Sequence, residues 1–286
     1  MVETIGNPLT WGVRAIAKSG QSVDEAITHL GSDVRVTPRV QRIGAHKVAS
    51  ALRAGWVDTQ KFRSDVFVLM AIYPFVGIAL CVVAFNLAFL PALFPMTAGF
   101  ALLGPAAATV LYVQNKLGES GEEPSILSAV SALRSKSMGP VLFLSMYLLV
   151  LFVFWMAAAM WVYRITLGPE LPVGATAFLR DVLTTLEGWT MIWLGCGIGA
   201  VFATLVLLTS LVSFPMLVDR PVGLPVAVAT SLRVAVKNPL PTALWGLTVA
   251  GLLFLGSLPF FLGLVIVLPV LGHATWHFYR AAVQFE

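Results

Sequence analysis

VFVLMAIYPFVGIALCVVAFNLAFLPALFPMTAGFALLGPAAATVLYV, residues 66–113, runs without a single charged side chain. A helix needs about 20 apolar residues to cross the hydrocarbon core of a bilayer, so this stretch is long enough to cross twice. It reads as a helical hairpin with its turn near Pro91 to Pro95. Two more charge-free runs, Gly139 to Tyr163 and Gly188 to Val218, each predict one span, joined by a short polar connection. From Asn238 to Gly272 charge is again absent, and Gly256, Ser257, Leu258 and Pro259 punctuate the run as a turn between two short helices. The expected fold class is all-α: a polytopic membrane helical bundle of six transmembrane helices in three hairpins.

Composition agrees, because 58% apolar and 11% charged residues with a mean hydropathy of +0.88 leave too little polar surface for a water-soluble globule. Cys81 and Cys196 both lie in apolar runs, where a buried, inert thiol is expected rather than a disulfide. The first 65 residues hold no apolar core of signal-peptide length, so the amino-terminal tail is expected to stay with the mature chain.

Lysine and arginine near membrane ends are retained on the cytoplasmic side. Sixteen of the eighteen fall in residues 1–65, the loops Lys116 to Lys136 and Arg220 to Lys237, and the carboxy end at Arg280; the other side holds Arg164 and Arg180. Both termini are therefore expected in the cytoplasm.

A basic signature recurs ahead of each hairpin: Ser50-Ala51-Leu52-Arg53, Ser131-Ala132-Leu133-Arg134 and Thr230-Ser231-Leu232-Arg233. Apolar residues at helical spacing accompany each copy: Val48, Leu52 and Trp56; Ile126, Val130 and Leu133; Val228, Leu232 and Val236. Each is expected to be a cytoplasmic amphipathic helix lying in the interface plane, its arginine meeting lipid headgroups or a neighbouring helix end. The chain thus divides into an amphipathic cytoplasmic tail, residues 1–37, and a membrane domain, residues 38–286, with repeat units at about 44–113, 124–218 and 224–282.

Candidate chemistry is sparse. His273 and His277 lie four residues apart on one face at the end of the last run, a spacing that can hold a metal or approach a haem, although no acidic residue falls in that run to complete a coordination sphere. Beside Trp276 and Tyr279 they fit an interfacial aromatic belt better than a metal site. Asp219 and Arg220, followed by Pro221, mark a structural cytoplasmic end of the fourth span. Gly195, Gly199 and Ala203 put a small residue at every fourth position, a face that lets another helix come close. The expected spans contain no Asp, Glu, Lys or Arg, and only Asn86 is strongly polar, which argues against charge-coupled transport. No phosphate-binding glycine loop, zinc-protease helix or nucleophile elbow is present, so catalysis is not expected, and no cofactor beyond the histidine option.

Three segments carry a resemblance: Val40-Gln41-Arg42-Ile43-Gly44 leading to Ala51–Asp58, Phe214–Arg220, and Leu271–Arg280. Over residues 38–282 the chain resembles an uncharacterised bacterial family of integral membrane proteins, domain of unknown function 2189. Some members carry the label of cytochrome c oxidase subunits. Oxidase catalysis is not implied here, since its catalytic subunit needs at least six histidines within its spans. What the resemblance implies is association with a respiratory complex.

The expected function is a non-enzymatic accessory or assembly factor for a membrane complex. The alternative is a passive small-molecule transporter or lipid-handling protein, and a metal or haem binder comes third. Membrane lipids are expected partners; nucleic acid is not.

Overall fold

The computed structural model describes residues 38–61, 72–84, 90–121 and 138–285. The tail, the second signature at Ser131 to Arg134, and Asn86 lie outside the described residues.

A short strand β1 (Pro38–Val40) leads into helix α1 (His46–Lys61), and α2 (Ile72–Ala84) follows. A single 3-10 turn at Leu90–Ala92 opens α3 (Leu93–Leu102), which passes through α4 (Gly104–Ala107) into α5 (Thr109–Glu119). The long α6 (Met138–Thr166) is followed by α7 (Ala175–Thr184), α8 (Leu186–Ser210) and α9 (Ser213–Asp219). Then come α10 (Leu224–Lys237), α11 (Pro239–Ser257), α12 (Leu264–Ala282) and the strand β2 (Val283–Phe285). The strands pair antiparallel, Pro38 with Phe285 and Val40 with Val283, so the two ends of the described chain lie together.

Three helical stretches are long and apolar enough to cross a membrane: Gly139–Thr166, Leu186–Asp219 and Pro239–Ser257. A fourth forms if Leu90–Gly99 and Gly104–Glu119, bent by 47° at their break, count as one span. The charge-free runs therefore locate real helices. Six spans in three hairpins were expected; among the described residues three stretches qualify, or four with the bent pair. The second half of the first run is broken at residues 100–103, and α12 extends ten residues past the expected end of its run, to Ala282. The expected polar connection between the third and fourth runs contains the ten-residue α7, amphipathic and with no buried residue. The turn between α11 and α12 puts Phe260 (φ 51°) and Phe261 (φ 64°) in the left-handed region, a strained conformation for an aromatic residue.

Cys196 is exposed on α8, correcting the expectation of a buried thiol: α8 turns much of its circumference away from the rest of the chain. Packing between the long helices centres on Trp155 of α6. Its ring fills the space beside Gly199 of α8, where an added Cβ would stand 2.8 Å from the ring. Its indole N–H donates to the carbonyl of Pro95 at 2.8 Å, and Phe202 packs at 5.9 Å between ring centroids.

In the two signature helices among the described residues, mostly small side chains face the protein. In α1 the buried residues are Val48, Ala51, Gly55 and Thr59, while Trp56 is 47% exposed. In α10 they are Ala227, Thr230, Ser231, Val234 and Ala235, and Val236 is 81% exposed. Small residues face the protein because backbone then approaches backbone. At Gly55 an added Cβ would sit 2.5 Å from the Ala274 nitrogen and 2.6 Å from the Val270 oxygen, so α1 packs directly on the backbone of α12.

Candidate functional site

The polar chemistry of the described residues collects where α5, α9 and α12 end together, beside the paired strands. Helix α12 is the spine of this cluster and meets α1, α5 and α9. Towards α1, His277 Nε2 lies 2.6 Å from Asp58 Oδ2, and Lys61 stands 3.5 Å from the other oxygen of that carboxylate. Burial acts to raise the Asp58 carboxyl, but the hydrogen bond and charge of His277, with lesser help from Lys61, outweigh it and hold the group below its ordinary value.

Towards α5, His273 Nδ1 lies 3.0 Å from Asn115 Oδ1, and one turn on the Trp276 indole N–H donates to Glu119 at 2.8 Å. Arg280 then bridges two helices, 3.2 Å from Glu119 and 3.5 Å from Asp219. The Tyr279 hydroxyl donates to Asp219 at 2.7 Å. Lys116 completes the joint by donating to the carbonyl oxygens of Val218 and Asp219, both at 2.9 Å. Those carbonyls belong to the last turn of α9, where a cation suits both the unpaired oxygens and the helix dipole.

Asn238, at the junction of α10 and α11, ties the arm between β1 and α1, residues 41–45, to this assembly. Its carbonyl oxygen accepts from the Ile43 amide at 2.8 Å, and its amide donates to Gln41 O at 2.9 Å. Lys237 donates to Val40 O at 2.7 Å.

The residues singled out from the sequence distribute as follows. His273 is fully buried and His277 partly so, and they reach towards different helices, Asn115 on α5 and Asp58 on α1. Trp276 and Tyr279 are 0% exposed, which corrects the aromatic-belt reading: their polar atoms bond to carboxylates inside the protein rather than to an interface. Among the described residues no group of three or more His, Cys, Asp or Glu is placed to hold a metal ion.

Asp219 is the acceptor for Tyr279 and Arg280, while the Arg220 Nε stands 4.0 Å from it and the Arg220 guanidinium lies 5.5 Å from the centre of the Phe285 ring. Gly199 is covered by Trp155, whereas Gly195 has nothing within 4 Å of an added Cβ. Ala203, Arg53 and Arg233 are exposed, and Arg134 lies outside the described residues. Sequence reasoning missed Asp58, Asn115, Glu119 and Lys116, whose partners lie between 102 and 219 positions away. The available signal was the small-residue stripe Ala51-Gly55-Thr59, which places Asp58 beside a contact face.

This arrangement is a lock made of paired groups. It joins the three segments Ala51–Asp58, Phe214–Arg220 and Leu271–Arg280, far apart in the chain, into one contiguous cluster. Long apolar helices tied at one end by internally paired charges define an integral membrane protein of the α-helical class. Residues 93–219 match the model of a family described as Predicted integral membrane protein (DUF2189). The resemblance read from the sequence is thereby upheld, over a shorter stretch that includes Phe214 to Asp219 and neither of the other two segments. No curated protein and no solved structure matches the chain.

Proposed function

We propose that the chain is a six-span accessory protein of a bacterial inner membrane, with both termini in the cytoplasm, that packs against another membrane protein and performs no catalysis. The hairpins are α2 with the bent α3–α5 unit, α6 with α8–α9, and α11 with α12. The excess of lysine and arginine at the locked end supports the orientation, and a respiratory complex is the partner the family resemblance suggests.

One observation carries the reading. Of the most apolar window of the longest span, Leu186–Asp219, only 6% is buried within the chain. Its outward surface sets Trp189, Trp193 and Gly197 at four-residue spacing on one face, and Gly197 has no atom within 4 Å of an added Cβ. Large rings beside an open notch form a surface that a second helix can fill closely, through the backbone approach that a small residue allows in lipid. The internally paired lock supports the non-catalytic reading.

The test is quantitative mass spectrometry of what co-purifies in mild detergent with tagged wild type and with G197L. A stoichiometric membrane protein retained by the wild type and lost from the variant is the expected result. Identical partner lists for the two would refute the reading.

A passive pathway is the second reading, and it has its own observation. The bent α3–α5 unit carries Gln114, fully buried with both amide atoms unbonded. A polar side chain buried unpaired within a membrane segment is the kind of group that lines a solute pathway. Flux of small neutral solutes into vesicles that is reduced in Gln114→Leu would favour it.

A further inference from the structure

Helices α1 and α10 share a burial register that their sequences only hint at. Aligning Arg53 with Arg233 places Ala51 with Ser231 and Gly55 with Ala235, and all four are buried. It places Trp56 with Val236, 47% and 81% exposed. The anchors also coincide: Asp58 binds α12 where Asn238 binds the arm. Each helix thus presents outward an arginine with a large apolar side chain one turn further on.

These two arginines differ from the other cations around the lock. Lys61 pairs with Asp58, Lys116 and Lys237 bond to carbonyls, and Arg280 pairs with Glu119 and Asp219. Arg53 and Arg233 make no ion pair or hydrogen bond among the described residues. Helix α10 contains no acidic residue, and the one acid of α1, Asp58, is engaged with His277.

We propose that the outward faces of α1 and α10 are two equivalent docking sites for the headgroups of anionic phospholipids. The arginine takes the phosphate, and Trp56 or Val236 enters the acyl boundary beside it. Charge complementarity selects an anion, since each face carries an uncompensated positive group. The exposed apolar neighbour selects a lipid over a soluble anion, because only at a bilayer surface are a phosphate and a hydrocarbon region within one helical turn of each other.

The test uses the full-length protein in neutral detergent. Native mass spectrometry counts bound phosphatidylglycerol and phosphatidylcholine for wild type, R53Q, R233Q, R53Q/R233Q and R53K/R233K. Wild type is expected to retain two phosphatidylglycerol molecules in preference to phosphatidylcholine. Each single glutamine variant should lose one of them, with affinity lower by about 5-fold per arginine removed. The lysine variant should stay close to wild type. Because both side chains point outward, circular dichroism of the variants should match wild type, and if the double variant does not fold the two single variants decide the matter. Equal retention of the two lipids by wild type overturns the proposal. So does unchanged phosphatidylglycerol binding in the single glutamine variants, including the case where they lose a co-purifying acidic protein instead.

Discussion

Replacing Gly55 by alanine sets two effects of opposite sign against each other. In an exposed helix the change from glycine to alanine stabilises by about 1 kcal/mol through propensity. At Gly55 the new methyl would meet the Ala274 nitrogen at 2.5 Å, the Val270 oxygen at 2.6 Å and the Ala274 Cβ at 2.7 Å. Backbone atoms cannot swing aside, so α1 and α12 must part by about 1 Å, an overpacking that costs about 1–3 kcal/mol. The same movement stretches the 2.6 Å contact between Asp58 and His277, a charge-assisted bond worth about 1.5–3 kcal/mol when kept. The net expectation for G55A is a loss of about 2 kcal/mol, read as a fall of about 5 °C in the midpoint of thermal unfolding in detergent. Gly251 supplies the comparison, since it lies exposed in α11 with nothing within 4 Å of an added Cβ. G251A should hold or raise the midpoint. A G55A protein as stable as G251A would refute the docking of α1 on the backbone of α12.

Other outcomes follow from the lock. Asp219→Asn removes the charged acceptor of Tyr279 and Arg280, and thermal unfolding should report a loss of about 2 kcal/mol, with the exposed side of Arg280 limiting the effect. The Asp58 carboxyl is depressed in the folded protein, so its stabilisation is fully present above the unfolded value of about 3.9 and is lost as pH falls through the lower folded value. Asp58→Asn should therefore destabilise at neutral pH and flatten that acid limb in a pH series of melts, whereas an unchanged limb would contradict the assignment. Cysteines placed at Leu171 and Phe260, in a background with both native cysteines replaced, should react with a membrane-impermeant maleimide added outside intact cells. A cysteine at Gln284 should react only after lysis, and labelling of Gln284 from outside would overturn the topology.

The long spans were legible because absence of charge is a one-dimensional property. Runs ending at Tyr163 and Val218 became helices ending at Thr166 and Asp219. The lock was not legible, because a bond such as that between Asp58 and His277 joins residues 219 positions apart and exists only once α1 has docked. The absence of an acid in the last run was read correctly, yet the acid comes from another helix. The first and third signature segments are helices among the described residues; their apolar residues were read as an interface-facing stripe, and packing against backbone buries Ala51 and Gly55 while leaving Trp56 outward. Helix α7 was missed because its ten residues hold both an arginine and an aspartate, Arg180 and Asp181, a pattern that reads as a loop between two spans.

The most direct test of the account places a photocrosslinking amino acid at Gly197, on the open face of α8, and irradiates native membranes; Phe254, exposed on α11, serves as the comparison position. Position 197 should give one discrete protein adduct, of constant mass and absent from position 254. Adducts with lipid alone at both positions would contradict it, leaving α8 as a helix that meets only the bilayer.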